Sequence, residues 1–463
     1  YSFCEICINI STILFGGCTC VPVCAILFIY FFFLLFLVVN YNIYQGDSVA
    51  NYGFSYALLR REVPYLDFNM VIPLFSPFLY SLGLHLFNDI LMFYIEQSIL
   101  LCVLVYFLEK LVGKKYILFI LGICMFYPIS LCTTIFPGYN FIVFLLLIIL
   151  FYLLKNKKND ILVGFILGLI FCTKQTIGLV LFIPSLYYLF SKKERFFKRL
   201  IGYLIPVVIT FIYLAITGSF MKFIDLCFLG LFNFGSNNKS ISMFYFILLF
   251  VGVIYLVYRI VKNRNDYELY YLLLYSVISL PIVDFYHVSL FLIGILYLIC
   301  RDISIRDNIY KYLVVMIVFL FISSCVIEYK FLNSFNFYNY KYFTFYLKTP
   351  KYNENIKSIN KFTKKYDKVY YLLRGTESFF FKISNDRDIT YYDLLNYGNF
   401  GYRGEEKIVS RINNIPKNSI IVTDSSLCSK SSNNNQFICE SLLVLKSSKL
   451  IKNISNYRIY IKE

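Results

Sequence analysis

The chain has 463 residues, of which 59% are hydrophobic, 20% aromatic and 15% charged, and its mean hydropathy is +0.67. Soluble globular domains carry roughly 25% charged residues, so this composition excludes that class, together with disordered and fibrous proteins. The net charge of +17 does not indicate nucleic acid as a partner, because the basic residues stand in short loops between apolar runs. The sequence therefore predicts a polytopic α-helical membrane protein in the cell membrane.

Apolar runs of membrane-spanning length recur through residues 1–327, which we interpret as a transmembrane catalytic domain of about eleven spans. Basic loops are typically cytoplasmic, which places the first outer loop, residues 41–87, and everything after residue 327 outside. Several spans, notably 161–173 and 176–190, are shorter than the ~20 residues of a straight crossing, so we expect them to be tilted, longer than drawn, or a re-entrant pair. The predicted spans are 21–40, 88–108, 116–134, 139–154, 161–173, 176–190, 200–217, 242–260, 268–281, 287–300 and 312–327.

The first outer loop is too polar for a span and too aromatic for a linker. Asp47 stands at an N-cap position, apolar and aromatic residues follow at helical spacing, and a proline comes after Arg60 and Arg61, which predicts an interfacial helix. Capping is the ordinary role of an Asp at such a position. With Asp67, however, two carboxylates and two guanidinium groups share one membrane-proximal surface, which suits a lipid-phosphate substrate.

This loop runs from Gly46-Asp47 to Pro64-Tyr65-Leu66-Asp67-Phe68 and continues with Pro73 and Pro77-Phe78-Leu79-Tyr80. In this stretch, in its many spans and in its C-terminal soluble domain, the chain resembles the GT-C class of polytopic glycosyltransferases. That class includes protein O-mannosyltransferases and the lipid A aminoarabinose transferase.

The resemblance implies a polyprenyl-phosphate-linked sugar as donor. It also implies Asp47 as the general base toward the acceptor hydroxyl, with Asp67 as the second catalytic candidate. Because Asp47 is not part of an acidic pair, no metal is predicted. The reaction needs no nucleotide or redox cofactor.

Lys174 and Gln175 stand at the outer end of the predicted hairpin 161–190. A lysine there is either a snorkelling side chain or a functional cation. The other cationic clusters in this part of the chain are predicted to be cytoplasmic. We therefore interpret Lys174, together with Arg60 and Arg61, as a ligand of the lipid phosphate, and Gln175 as a contact for the sugar or acceptor.

Asp284 and His287 lie at the next outer turn, in the sequence Pro281-Ile-Val-Asp-Phe-Tyr-His. Asp-x-x-His is typical of a hydrogen-bonded pair at a helix start; alternatively, these side chains bind a sugar or acceptor opposite Asp47. One His and one Asp are an incomplete ligand set, so no metal is predicted here either.

At residue 328 the composition changes to Lys, Asn, Ser and Tyr, and the long apolar runs stop. Short strand-like runs at 368–373, 419–423, 441–446 and 457–461 alternate with helix-like or loop segments. We therefore predict that residues 328–463 form a small extracytoplasmic α/β domain. Its Gly- and aromatic-rich stretch 396–404 indicates a turn-rich loop or a carbohydrate contact.

These features predict a glycosyltransferase that moves a hexosyl or pentosyl unit from a polyprenyl-phosphate donor to a glycan, lipid or protein acceptor at the outer membrane face. The sequence contains no Walker loop, Gly-x-Ser-x-Gly elbow or His-Glu-x-x-His motif. A transporter or flippase of lipid-linked glycans is the alternative, with the intramembrane carboxylate Glu96 as its coupling residue. A glycan polymerase or ligase would typically carry several Arg in a late outer loop, and 218–241 has none.

Overall fold

The structure is a computed structural model. It describes residues 47–87, 90–116, 119, 138–157, 159–232, 241–303, 336–340, 343–347, 350–373, 377–395, 399–424 and 448–463. The described residues are mostly helical, with a small mixed sheet near the end of the chain. The predicted spans 21–40 and 312–327, nearly all of 116–134, and the predicted strand 441–446 lie outside these residues.

Apolar helices joined by short connections make up the described part of the chain as far as residue 302. Helices suit such apolar sequences because every backbone hydrogen bond is made within the segment. In chain order they are α1 (Asp47–Leu59), α2 (Phe75–Phe87), α3 (Ile90–Val112), α4 (Tyr139–Lys155), α5 (Asp160–Thr173), α6 (Gln175–Ser191), α7 (Lys193–Ile216), α8 (Phe220–Ile224), α9 (Met243–Lys262), α10 (Tyr267–Tyr275) and α11 (Phe285–Asp302). A π-helical turn, Asp225–Leu229, follows α8.

Two helices of the described residues, α7 and α9, are long and apolar enough to cross a membrane by length and composition. Only 33% of the most apolar part of α7 and 17% of that of α9 are buried. The core helix of a soluble protein would be mostly buried, whereas these helices present wide apolar faces. The eleven predicted spans are not confirmed. α5 and α6, for example, have 14 and 17 residues and are shorter than the ~20 of a straight crossing.

Glycines bring α5 and α7 into close backbone contact. An added Cβ at Gly164 would overlap the carbonyl oxygen of Arg199, and one at Gly202 would overlap that of Ile161. Gly168 follows Gly164 by four residues and also faces α7. Small residues at this spacing allow helix backbones to approach, as in the Gly-x-x-x-Gly contacts of membrane helices.

Ion pairs and hydrogen bonds join the helix ends that carry the basic loops. Arg199 bonds to Asp160 at 2.8 Å, which links α7 to the start of α5. Arg301, at the end of α11, bonds to Asp266 at 2.7 Å, and Lys115 donates to the Arg301 carbonyl at 2.6 Å. The connections that the sequence predicts to be cytoplasmic therefore meet at one end of the bundle.

The C-terminal unit contains the sheets. β3 (Val369–Leu372) pairs in parallel with β4 (Ile420–Asp424), and β6 (Tyr457–Lys462) pairs antiparallel with both β4 and β5 (Ser448–Ile454), in the order β3-β4-β6-β5. A separate hairpin joins β1 (Asn336–Tyr340) to β2 (Phe343–Leu347), and the helices are α12 (Pro350–Thr363), α13 (Glu377–Ser384) and α14 (Gly404–Asn413). Three predicted strands coincide with β3, β4 and β6. The sequence analysis does not predict β1, β2 and β5; β1 and β5 are interrupted by Asn, Lys or Ser, whereas β2 is a short aromatic run that it overlooks.

The C-terminal unit covers α1. Tyr52, Phe54 and Tyr56 of α1 are at most 4% exposed. Phe54 packs edge-on against Phe379 of α13, with 5.7 Å between ring centres, and Gly53 lies against the same ring. The expected interfacial helix is therefore buried beneath the C-terminal unit, because aromatic side chains on several of its faces find partners there.

We expect Gly164→Leu to separate α5 from α7 and to lower the free energy of unfolding by about 1–3 kcal/mol, the usual effect of overpacking. Thermal unfolding of the purified protein in detergent measures this change. Ala215→Leu, on the exposed side of α7, is the control of similar bulk. Equal stability of the Gly164 variant and the unmodified protein would contradict the close packing of the two helices.

Candidate functional site

A pocket of about 130 Å³ lies at the end of the bundle opposite the ion pairs. Four connections that the sequence places outside meet there: residues 71–72, 174–176, 226–231 and 280–287. Binding sites for whole small molecules usually have ~300 Å³ or more. The pocket therefore fits a head group such as phosphate rather than a complete lipid-linked sugar.

Three helices begin at this pocket. Tyr139 is the first residue of α4, Gln175 and Thr176 belong to the first turn of α6, and His287 belongs to the first turn of α11. Helix N-termini carry partial positive charge and N–H groups without helical partners, so they favour anions. Neither α4 nor α6 has a side-chain cap at its N-terminus. The geometry favours a negatively charged ligand.

Lys174 adds a full positive charge to the pocket lining. It connects α5 to α6 with an extended backbone, at φ −147° and ψ 97°. Its Nζ donates to Oδ1 of Asn140 at 3.1 Å and lies 5.5 Å from the centre of the Tyr139 ring. Lys174 is the Lys or Arg side chain among the lining residues, so it supplies the main attraction for an anion there.

Gln175 shapes the pocket as well as lining it. The side chain is buried, and its Nε2 donates to the carbonyl oxygen of Cys227 in the π-helical turn. This bond ties the start of α6 to the turn whose residue Leu226 lines the pocket. The predicted contact of Gln175 with a sugar or acceptor stays a prediction.

Asp284 caps α11. Its Oδ1 accepts from the His287 backbone N–H at 3.0 Å and lies 2.8 Å from His287 Nδ1. This is the helix-start pair that Asp-x-x-His indicates. The pair is also compatible with ligand binding, because His287 lines the pocket and Asp284 holds Nδ1, which leaves contact with a ligand to Nε2.

The charged side chains of the first outer loop that the structure describes lie elsewhere. Asp47 is the first residue of α1, and its side chain lies outside the described part of the structure. Asp67 is exposed and accepts from the Val63 N–H at 2.6 Å, and Arg61 is exposed. Asp67, Arg60 and Arg61 do not line the pocket. The structure thus brings Lys174, Gln175 and His287 together, but not these three.

Arg60 binds the C-terminal unit. Its guanidinium contacts Asp388 at 2.6 Å and Asp386 at 3.0 Å, so carboxylates occupy the position expected for a lipid phosphate. Next to it, Glu62 Oε1 accepts from the Ile389 N–H at 3.1 Å. Phosphate binding by Arg60 stays a prediction, and it would require this contact to open. No sequence spacing could indicate it, because the bonded residues are 326 and 328 positions apart.

Tyr139 and the segment 226–231 are among the parts of the pocket lining that sequence reasoning missed. Tyr139 follows Gly138 at the start of a predicted span, a helix-start signal that could have marked it. The segment 226–231 lines the pocket through Leu226, Gly230 and Leu231, and apolar residues of this kind carry no chemical signal.

Comparison with known protein families, curated proteins and solved structures finds no match for this chain. The resemblance to GT-C glycosyltransferases therefore rests on the residues and architecture given above. Within the described ranges, no group of three His, Cys, Asp or Glu side chains could hold a metal ion.

Burial raises the pKa of Glu62 to about 8, and the nearby Asp388 and Asp393 act in the same direction. Its ordinary value is 4.5. Between about pH 4.5 and 8 the folded protein thus holds a proton that the unfolded chain has lost. Stability therefore falls as the pH rises through this window, and the loss is complete above it.

We expect Glu62→Gln to remove this part of the pH dependence, because the amide does not ionise. Unfolding temperatures between pH 6 and 9 measure it, with Arg61→Gln on the exposed turn as the control. The same decline in the Glu62 variant and the unmodified protein would show that Glu62 does not titrate in this range.

Proposed function

We propose that the protein is a polytopic membrane glycosyltransferase that transfers a sugar from a polyprenyl-phosphate-linked donor to an acceptor at the outer face of the cell membrane. The strongest support is the pocket, in which Lys174 and the uncapped N-termini of α4 and α6 meet at one end of an apolar bundle. A phosphate head group fits the charge and size of this pocket. The lipid tail would extend along the neighbouring apolar helices.

The exposed faces of α7 and α9 support the membrane location. Ile209 and Ile216 of α7 are 63% and 81% exposed, and Met243 and Val261 of α9 are 72% and 64% exposed. Soluble proteins rarely present so much contiguous apolar surface. We propose about eleven spans, with the ion-paired basic end in the cytoplasm and the pocket and C-terminal unit outside.

In the proposed reaction an acceptor hydroxyl attacks the anomeric carbon of the sugar while the bond from that carbon to the phosphate oxygen breaks. Asp47 takes the hydroxyl proton as general base, with Asp67 as the second candidate. Lys174 and the helix N-termini stabilise the negative charge of the departing polyprenyl phosphate. Gln175, Asp284 and His287 contact the sugar or acceptor.

A transporter or flippase of lipid-linked glycans is the second candidate function, and Glu96 favours it. Its Oε2 is buried without a hydrogen-bond partner in the described structure, and it packs against Gly83 of α2. Carboxylates within membrane-spanning segments commonly mark transport paths. The glycosyltransferase is the better supported function, because it uses the pocket with Lys174, which Val71 and Ile72 of the first outer loop help to line.

Sugar transfer in reconstituted vesicles tests the proposal. Radiolabelled sugar on extracted polyprenyl-phosphate donors is supplied to the unmodified protein and to Asp47→Asn. We expect transfer to fall about 100-fold or more in the variant, with donor binding retained, because general-base catalysis contributes about that much. Lys174→Met should weaken donor binding, and Lys192→Met, at the other end of α6, is its matched control.

Equal transfer by the unmodified protein and Asp47→Asn would show that Asp47 is not the general base. Equal donor binding by Lys174→Met and Lys192→Met would show that the donor phosphate does not bind in the pocket. Movement of lipid-linked sugar across the bilayer without any transfer would favour the flippase.

A further inference from the structure

Residues 399–407 of the C-terminal unit form a segment that lies against the π-helical turn Asp225–Leu229; we call it the docking segment. Asp225 Oδ1 accepts from the Tyr402 N–H at 3.1 Å, and Oδ2 accepts from Lys407 Nζ at 2.8 Å. The Asp225 side chain is 16% exposed, so the ion pair is partly shielded from water. Bonds to a charged acceptor in such a place are among the stronger hydrogen bonds.

Two glycines allow the docking segment and the turn to touch. Gly401 has a φ of +82°, and an added Cβ there would lie 2.7 Å from Asp225 Oδ2. A Cβ added at Gly230 would lie 2.8 Å from the Cα of Gly401. A side chain at either glycine would force the segments apart. The glycines of this stretch therefore have a packing role in the described structure.

The π-helical turn is also a wall of the pocket. Leu226 in the turn, and Gly230 and Leu231 just after it, line the pocket. Gln175 holds the turn through the carbonyl oxygen of Cys227. Single π-helical turns are rare and frequently occur at functional sites. The wall is thus fixed both by the start of α6 and by the docking segment of the C-terminal unit.

We propose that Asp225 is a positioning residue through which the C-terminal unit sets the affinity of the pocket for an anionic head group. This proposal rests on the proposed function for the chemistry of the ligand. When residues 399–407 are docked against Asp225, the pocket binds its ligand more tightly. By thermodynamic reciprocity, a ligand in the pocket also stabilises the docked segment.

The test uses the full chain in lipid nanodiscs with geranylgeranyl phosphate as the probe. Asp225→Asn weakens the bond to Lys407, and Gly401→Ala places a Cβ against the Asp225 carboxylate. We expect both variants to bind the probe about tenfold more weakly, within the usual range of coupling between sites. Amide hydrogen exchange of residues 225–231 should become faster, and the probe should slow exchange of residues 399–407 in the unmodified protein.

Gly218→Ala is the matched control, because Gly218 has a similar φ of +72° but open space where a Cβ would be added. It should keep the affinity of the unmodified protein. Asp225→Glu, which retains the carboxylate, should recover part of the affinity that Asp225→Asn loses.

Unchanged affinity in Asp225→Asn and Gly401→Ala would overturn the positioning role, even if the unfolding temperature fell. The proposed function would stand in that case if Lys174→Met still weakened binding of the probe. If the unmodified protein did not bind the probe, the phosphate site and the positioning role would both be wrong.

Discussion

The apolar faces of α7 and α9 are the constraint on which the rest of the structure depends. Side chains such as Ile216, which is 81% exposed, are unfavourable in water and stable in hydrocarbon. Inside a bilayer, charged groups must be paired or must lie at the helix ends. Several described charges follow this pattern, whereas the buried carboxylate of Glu96 in α3 does not. Arg199 and Arg301 pair with carboxylates at one end, and Lys174 lies at the other.

The two ends of the bundle differ in their chemistry. α4 and α6 start at the pocket without side-chain caps, so the partial positive charges of their N-termini act together with Lys174, whereas the Asp284 carboxylate caps α11. At the opposite end, arginines neutralise Asp160, Asp266 and Glu268 in structural ion pairs. An anionic ligand is therefore stabilised at the pocket end. The C-terminal unit packs at that same end, against α1 and the π-helical turn, so it is placed to influence what binds there.

Local sequence signals predicted those features that depend on local environment. The length of the apolar runs predicted α7 and α9, since the predicted spans 200–217 and 242–260 overlap most of these two helices. The alternation of basic loops along the chain predicted that Lys174 and His287 lie on the same side of the membrane, and both residues line the pocket. Contacts between distant residues left no such signal. The pairing of Arg60 with Asp386 and Asp388, and the burial of α1, depend on how the C-terminal unit docks. The contact of Gly401 with the Asp225 carboxylate in the π-helical turn is another such contact, which no spacing in the sequence reveals.

Photo-crosslinking with a prenyl phosphate that carries a diazirine beside the phosphate tests most directly whether the pocket holds a lipid phosphate. In nanodiscs, label should appear on peptides that contain Tyr139, residues 174–176, 226–231 and 280–287, the described lining of the pocket. Unlabelled geranylgeranyl phosphate should compete for this labelling, and Lys174→Met should reduce it. Label spread evenly along the exposed faces of α7 and α9, and unchanged in Lys174→Met, would contradict a phosphate site in the pocket.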